Sequence, residues 1–70
     1  MPQEIDVRGL SCPQPVIMVI QAIDAGATAL RVTTDDAVAR ENITRLAAAR
    51  GFKVSYDVGG GRFILNLTKA

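Results

Sequence analysis

Two prolines separated by a single residue stand directly before an apolar stretch, and this feature constrains the fold more than any other. Pro13 and Pro15 precede the run VIMVIQAI. Proline is tolerated only in the first turn of a helix, because farther along it removes a backbone hydrogen bond and clashes with the preceding turn. The pattern therefore predicts a helix that begins at Pro13 and stops at Gly26. Its core face is expected to carry the apolar residues at helical spacing, Val16, Val19, Ile20 and Ile23.

Strand patterns flank this helix on both sides. Apolar residues at every second position predict strands at 3–7, 29–33, 52–57 and 63–67. The glycine triplet at 59–61 predicts a hairpin turn between the last two strands, since neither a helix nor a Lys-Ser/Thr pair follows it, as a phosphate-binding loop requires.

A second helix is expected at 37–50, between the second and third strands. Asp35 or Asp36 is expected to cap its amino-terminal end. Helix capping explains this acidic pair without a metal site. Its buried face is expected to hold Ala39, Ile43 and Leu46, whereas Arg40, Glu41, Thr44 and Arg45 face solvent. The element order is βαβαββ, and with only two helices both are expected on one face of the sheet, as a two-layer α/β (α+β) sandwich.

Composition limits the classes of function. Seventy residues form a single domain, 1–70, with no second core. The net charge of +1 and the scattered basic residues argue against direct nucleic-acid binding. We expect no membrane segment and no secretory signal, because the longest apolar run is too short and no charged n-region precedes it. A cytoplasmic protein with a reduced thiol is the expectation.

The single cysteine, Cys12, is the candidate reactive group. A free cysteine is often a small buried hydrophobe. Here, however, it stands at or just before the predicted helix start, where the positive end of the helix favours a thiolate over a thiol. The Gln14 N–H faces the sulfur if Cys12 is the N-cap residue, and Arg8 is close enough in sequence to add positive potential. A reactive thiol is therefore favoured over a packing cysteine.

The rest of the chain limits what this thiol can do. There is no histidine for a Cys–His couple, and no second cysteine to resolve a disulfide within the chain. Attack on a partner's sulfur remains, as mixed disulfide formation or persulfide transfer. No metal and no cofactor are expected. Ile17 and Met18 lie off the predicted core face, and they either dock a partner protein or are covered by another part of the fold.

Residues 6–15, DVRGLSCPQP, resemble the CPxP signature of the TusA/SirA-like sulfur carrier proteins. The resemblance extends over almost the whole chain, and 35–54 is most similar to the amino-terminal domain of YedF-like proteins, in which a second domain usually follows. It implies a mixed four-stranded sheet and a Cys12 that accepts a sulfane sulfur and passes it on. In the family, the transferred sulfur is used in tRNA thiolation, molybdenum cofactor biosynthesis and sulfur oxidation. The residues that match the motif around Cys12 are Arg8, Gly9, Pro13, Gln14 and Pro15.

The hypothesis from sequence is a sulfurtransferase-type persulfide carrier with Cys12 as its catalytic residue. Its expected partners are a sulfur donor such as a cysteine desulfurase and a sulfur-acceptor protein. Selenium handling by the same cysteine is an alternative. A non-catalytic regulatory module that uses Ile17 and Met18 for contacts is another, and RNA binding is a remoter one. The sequence leaves open whether the domain acts alone or as part of a longer protein.

Overall fold

The computed structural model describes residues 3–10 and 13–70 of the chain. The elements follow the order predicted from sequence, βαβαββ. They are β1 (Gln3–Asp6), α1 (Gln14–Asp24), β2 (Ala29–Thr34), α2 (Ala37–Ala49), β3 (Phe52–Gly59) and β4 (Arg62–Lys69). Ser11 and Cys12 lie outside the described residues.

The four strands form one mixed sheet in the order β1-β2-β4-β3. β1 runs parallel to β2, which requires the crossover through α1, whereas the other two pairs are antiparallel. The register places Ile5 beside Val32 and Val32 beside Leu65. Because neighbouring residues in register share a face, these side chains form one apolar row across the sheet.

Both helices cover the same face of this sheet and contact each other. The core between the two layers is built from alternating residues of the strands and one stripe of each helix. Its fully buried large side chains include Val19, Leu30, Ile43, Leu65 and Leu67. The opposite face of the sheet is mostly polar, which confirms the predicted two-layer sandwich.

The first helix begins one residue later than predicted, and its core face is shifted. Pro13 is the N-cap residue, and the buried positions are Pro15, Val19 and Ala22. At about 100° per residue, Met18 lies closer to the centre of this face than Ile20 does. Met18 accordingly packs against the core, so the expectation that it lies off the core face is wrong. Ile20, expected inside, is half-buried.

The second helix matches the prediction at its start and differs along its faces. The Asp36 carboxylate accepts the Val38 N–H at 2.9 Å, as an N-cap residue does. Ala47 completes the buried stripe, while Leu46 is half-buried. Arg40, predicted in solvent, is half-buried, because its guanidinium lies over the aromatic rings of β3 and β4.

Within the described residues, neither helix is long and apolar enough to span a bilayer. The predicted glycine hairpin is confirmed. Gly60 and Gly61 form its two-residue loop with φ of +61° and +75°. Positive φ at both positions is the geometry of a type I′ turn, whose twist matches that of the flanking strands.

Candidate functional site

The candidate site lies where β1 leaves the sheet and the chain turns toward α1. The Val7 N–H donates to the Thr33 carbonyl at 2.9 Å, which holds this segment against β2 one residue beyond the strand. The Leu10 N–H then donates to the Val7 carbonyl at 3.3 Å, and Gly9 between them has φ of +76°. Arg8 has negative φ, so 7–10 is a type II turn, which requires a glycine at its third position. Gly9 therefore shapes the approach to the motif.

The start of α1 forms the other side of the site. The Ile17 N–H donates to the Pro13 carbonyl at 3.1 Å and closes the first turn. Because prolines at positions 13 and 15 have no N–H, the N–H groups of Gln14 and Val16 are the backbone donors of this turn. The first turn contains no acidic residue, so no side chain of α1 compensates its positive end.

Pro13 and Pro15 differ in their surroundings. Pro13 is exposed, whereas Pro15 is fully buried in the core. The packing of Pro15 in the core therefore holds the first turn of α1 in place, and the proline ring also restricts the backbone of this turn. Cys12, the predicted catalytic residue, directly precedes the N-cap residue in sequence and lies outside the described residues.

Arg8 forms an ion pair with Asp6 across the turn. Its Nη2 lies 2.7 Å from Asp6 Oδ2 and its Nε lies 3.0 Å from Oδ1. Hydrogen bonds from the side chain and backbone of Arg8 lower the pKa of Asp6 from 3.8 to about 2. The same carboxylate raises the pKa of Arg8. Arg8 was expected to supply positive potential for the thiol, and the structure places its charge beside a compensating carboxylate.

Two further charges act on this pair, and the sequence pattern does not predict either of them there. The charge of Arg62 contributes to the lowered pKa of Asp6, and the charge of Asp35 contributes to the raised pKa of Arg8. Their sequence positions give no local sign of this proximity. It follows from the register, which brings the ends of β1 and β2 and the hairpin to one end of the sheet.

Ile17 and Met18, the predicted docking residues, lie on different surfaces. Ile17 is 43% exposed, near the start of α1. Met18 lines an open groove of about 400 Å³ between α1 and β1, together with Gln3, Ile5 and Gln21. Two other exposed apolar residues, Leu10 and Val38, lie at the same end of the fold as the start of α1. The apolar surface at this end is thus formed by Ile17 and Leu10, with Val38 on α2, more than by Met18.

No group of three potential metal-ligand side chains occurs in residues 3–10 and 13–70. The candidate site therefore consists of a glycine turn, a compensated ion pair, exposed apolar side chains and a helix start with two prolines. Together with the single cysteine of the sequence, this arrangement defines a class: small βαβαββ sandwich domains whose motif lies between the first strand and the first helix.

Comparison with known proteins identifies the family within this class. The family described as "Sulfurtransferase TusA" matches residues 3–69, and the chain belongs to this family. Its fold is similar to the crystal structure of a SirA-like protein from Desulfitobacterium hafniense, with 26% sequence identity, 93% of each chain covered and a TM-score of 0.82. No individual curated protein matches the chain.

Family membership supports a sulfur-carrier type of role in general. Proteins of the TusA family act with partner proteins in sulfur relay. The narrower likeness to YedF-like amino-terminal domains stays a prediction from sequence.

Proposed function

We propose that this protein carries a persulfide sulfur on Cys12 between two partner proteins. The observation that supports the proposal most is the match to the TusA family over residues 3–69, which includes the one cysteine of the chain. Cys12 stands immediately before Pro13, the N-cap residue of α1, in the segment that joins the glycine turn to the helix.

The reaction consists of two thiol exchanges. The Cys12 thiolate attacks the terminal sulfur of a donor persulfide, forms a new S–S bond, and releases the donor cysteine as a thiolate. An acceptor thiolate then attacks the outer sulfur of the Cys12 persulfide, and the S–S bond to Cys12 breaks with return of its thiolate. Each sulfur–sulfur bond formed replaces one that breaks, so no external oxidant or reductant is consumed.

The amino-terminal end of α1 supports this chemistry electrostatically. Both the thiolate and the persulfide are anions, and the positive end of a helix stabilises anions near its first turn. The first turn of α1 has backbone donors at Gln14 and Val16 and no acidic side chain. Arg8 contributes less to the stabilisation of these anions, because Asp6 compensates its charge. We therefore assign the activation of Cys12 mainly to the helix end.

The proposal requires a donor and an acceptor protein, since the chain holds neither a histidine nor a second cysteine. A cysteine desulfurase is the kind of donor that this chemistry needs. Ile17 and Leu10 are exposed beside the motif and are the apolar contacts that we assign to docking. Met18 contributes through the groove at β1. We place the exchange in the cytoplasm, where thiols stay reduced.

The test is sulfur loading measured by intact mass. The protein is incubated with a cysteine desulfurase and cysteine, and we expect an increment of one sulfur that a reductant removes. Cys12→Ser abolishes this increment, and the matched control Ser11→Ala, one residue away, retains it. Absence of the increment with several active desulfurases would overturn the proposal. Selenocysteine in place of cysteine as the substrate of the same desulfurase determines whether the same thiol takes selenium, because the enzyme then presents the selenium in a bond that the Cys12 thiolate can exchange.

A further inference from the structure

The strand β3 forms one edge of the sheet and is unusually long for an edge strand. It contains eight residues, Phe52–Gly59, whereas β1 at the other edge contains four. Among residues 3–10 and 13–70, β4 is the one strand paired with it. A long edge strand presents unpaired backbone groups that can pair with another strand.

Along β3, the backbone N–H and C=O groups of successive residues point alternately toward β4 and toward the free edge. The hydrogen bonds at the end of the strand show which residues point their backbone groups toward the free edge. The Ala70 N–H donates to the Gly51 carbonyl at 3.0 Å, so odd-numbered residues of this segment bond toward β4. The Lys69 N–H donates instead to the Thr28 carbonyl, on the β2 side, at 2.8 Å. Lys69 therefore lies opposite Phe52 in the register without a backbone hydrogen bond between the two residues. The outward N–H and C=O groups therefore belong to Phe52, Val54, Tyr56 and Val58.

The sequence of β3 is complementary to itself about Ser55. Antiparallel pairing of two copies around this residue places Lys53 beside the second copy's Asp57, and Val54 beside its Tyr56. The outward-bonding residues Val54 and Tyr56 then exchange backbone hydrogen bonds. Lys53 and Asp57 fall at non-bonded positions, where side chains on paired strands come closest.

Other registers lack this match. A shift of the centre to Val54 or Tyr56 leaves both charges without an opposite charge. A centre at Lys53 or Asp57 places like charges against each other. The two charged residues thus select one register among those that the backbone permits.

The side chains involved are available for pairing. Lys53, Ser55 and Asp57 are exposed on the face of the sheet opposite the helices. In the described part of the chain, neither Lys53 nor Asp57 forms an ion pair. On the helix side, Tyr56 and Val58 are 45% and 66% exposed. The Arg40 guanidinium lies over the Tyr56 ring, 5.0 Å from its centre, and restrains the position of that ring.

We propose that two copies of this chain associate through antiparallel pairing of β3 about Ser55, which joins their four-stranded sheets into one continuous sheet. The interface is isologous, so each ion pair occurs twice. β1 and the start of α1 lie toward the opposite edge of each sheet and stay uncovered. The contact is restricted to one strand and is smaller than a standard stable interface, so the dimer is weak and depends on concentration.

The experiment measures association of the Cys12→Ser protein, in which no disulfide forms and no sulfur transfer is required. Sedimentation equilibrium up to about 1 mM detects dimers with Kd as weak as millimolar. We expect concentration-dependent dimerisation. Amide exchange should slow with concentration at Val54, Tyr56 and Val58, while the amides of Lys53, Ser55 and Asp57 are already protected by β4.

Charge exchange tests the register. Lys53→Asp and Asp57→Lys each place two like-charge pairs in the interface, and each should weaken association about tenfold. The double variant Lys53→Asp/Asp57→Lys restores opposite charges and should recover association. The exchanged side chains are exposed, and circular dichroism verifies the fold of each variant.

Three results would overturn the inference. The first is a monomer at every concentration, the second is a double variant as weak as the single ones, and the third is slowed exchange at β1 in place of β3. Persulfide loading of the wild-type chain is measured separately, so failure here leaves the carrier proposal untouched.

Discussion

Arg8 and Asp6 are joined at three points across the turn that leads from β1 to the motif. The guanidinium makes two contacts with the carboxylate, at 2.7 and 3.0 Å, and the Arg8 backbone N–H donates to the same carboxylate at 3.0 Å. This arrangement directs the arginine back toward its own strand. The ion pair therefore stabilises the turn around Gly9, and the proposed activation of Cys12 relies on the helix end and not on Arg8.

The first prediction concerns the titration of Asp6. Its pKa in the folded protein is lowered to about 2 from 3.8. Because the folded value is the lower one, the stabilisation is present above about pH 4 and is lost as pH falls through about 2. Arg8→Gln should return the carboxyl titration, followed by carbon NMR, toward 3.8.

The control removes another exposed ion pair. Arg45 lies 3.6 Å from Glu41 on α2, and Arg45→Gln should leave the Asp6 midpoint unchanged. An Asp6 midpoint near its ordinary value in the wild-type protein would show that the ion pair with Arg8 does not persist in solution.

The second prediction distinguishes two adjacent aspartates. Asp36 caps α2 through the Val38 N–H, whereas Asp35 is exposed and acts on Arg8 only through its charge. Asp36→Ala should lower the free energy of unfolding by about 1 kcal/mol. Asp35→Ala should change it by less than about 0.5 kcal/mol, as exposed substitutions do. Urea denaturation measures both, and equal losses would contradict the assignment of the cap.

The order of elements follows from the sequence because local patterns determine it. The glycine hairpin and the proline-marked helix start are features of a few consecutive residues, and the structure confirms both. The core face of α1 is harder to predict from the sequence than the order of the elements. Met18 and Ile20 are both apolar, and only the packing of the helix on the core shows that Met18 is the one of the two in contact with it.

The surroundings of the motif depend on tertiary structure to a greater degree. Arg62 is 54 positions after Arg8 in the chain, and only the strand register brings it close enough to act on Asp6. The half-buried position of Arg40 has the same origin. It requires the Tyr56 and Phe63 rings of β3 and β4 beneath α2, which no pattern within the helix indicates.

The third prediction concerns the hairpin loop between β3 and β4. Gly60 and Gly61 both have positive φ, which β-branched residues strongly disfavour. Gly60→Val should therefore destabilise the fold by about 1 to 2 kcal/mol. Gly60→Asn should be close to neutral, because Asn-Gly is a preferred type I′ sequence. Thermal unfolding compares the two, and an equal loss for both variants would exclude this turn geometry.

The last prediction separates the roles of the two prolines in the motif. Pro15 is fully buried and restricts the backbone of the first turn of α1, whereas Pro13 is exposed. Pro15→Ala should lower the free energy of unfolding by about 1 to 2 kcal/mol, through lost packing and a more flexible unfolded chain. Pro13→Ala loses only the second contribution and should cost less than about 1 kcal/mol. Urea denaturation of both variants gives the comparison.

Sulfur loading of Pro15→Ala then tests how the helix end acts. The substitution restores a backbone N–H in the first turn of α1, which adds a donor where an anion is stabilised. Cys12 should therefore still acquire one sulfur under conditions in which the variant is folded. Loss of loading in a folded Pro15→Ala protein would mean that the proline is needed for the exchange itself. Its burial argues against this, because a partner protein cannot contact a side chain enclosed in the core.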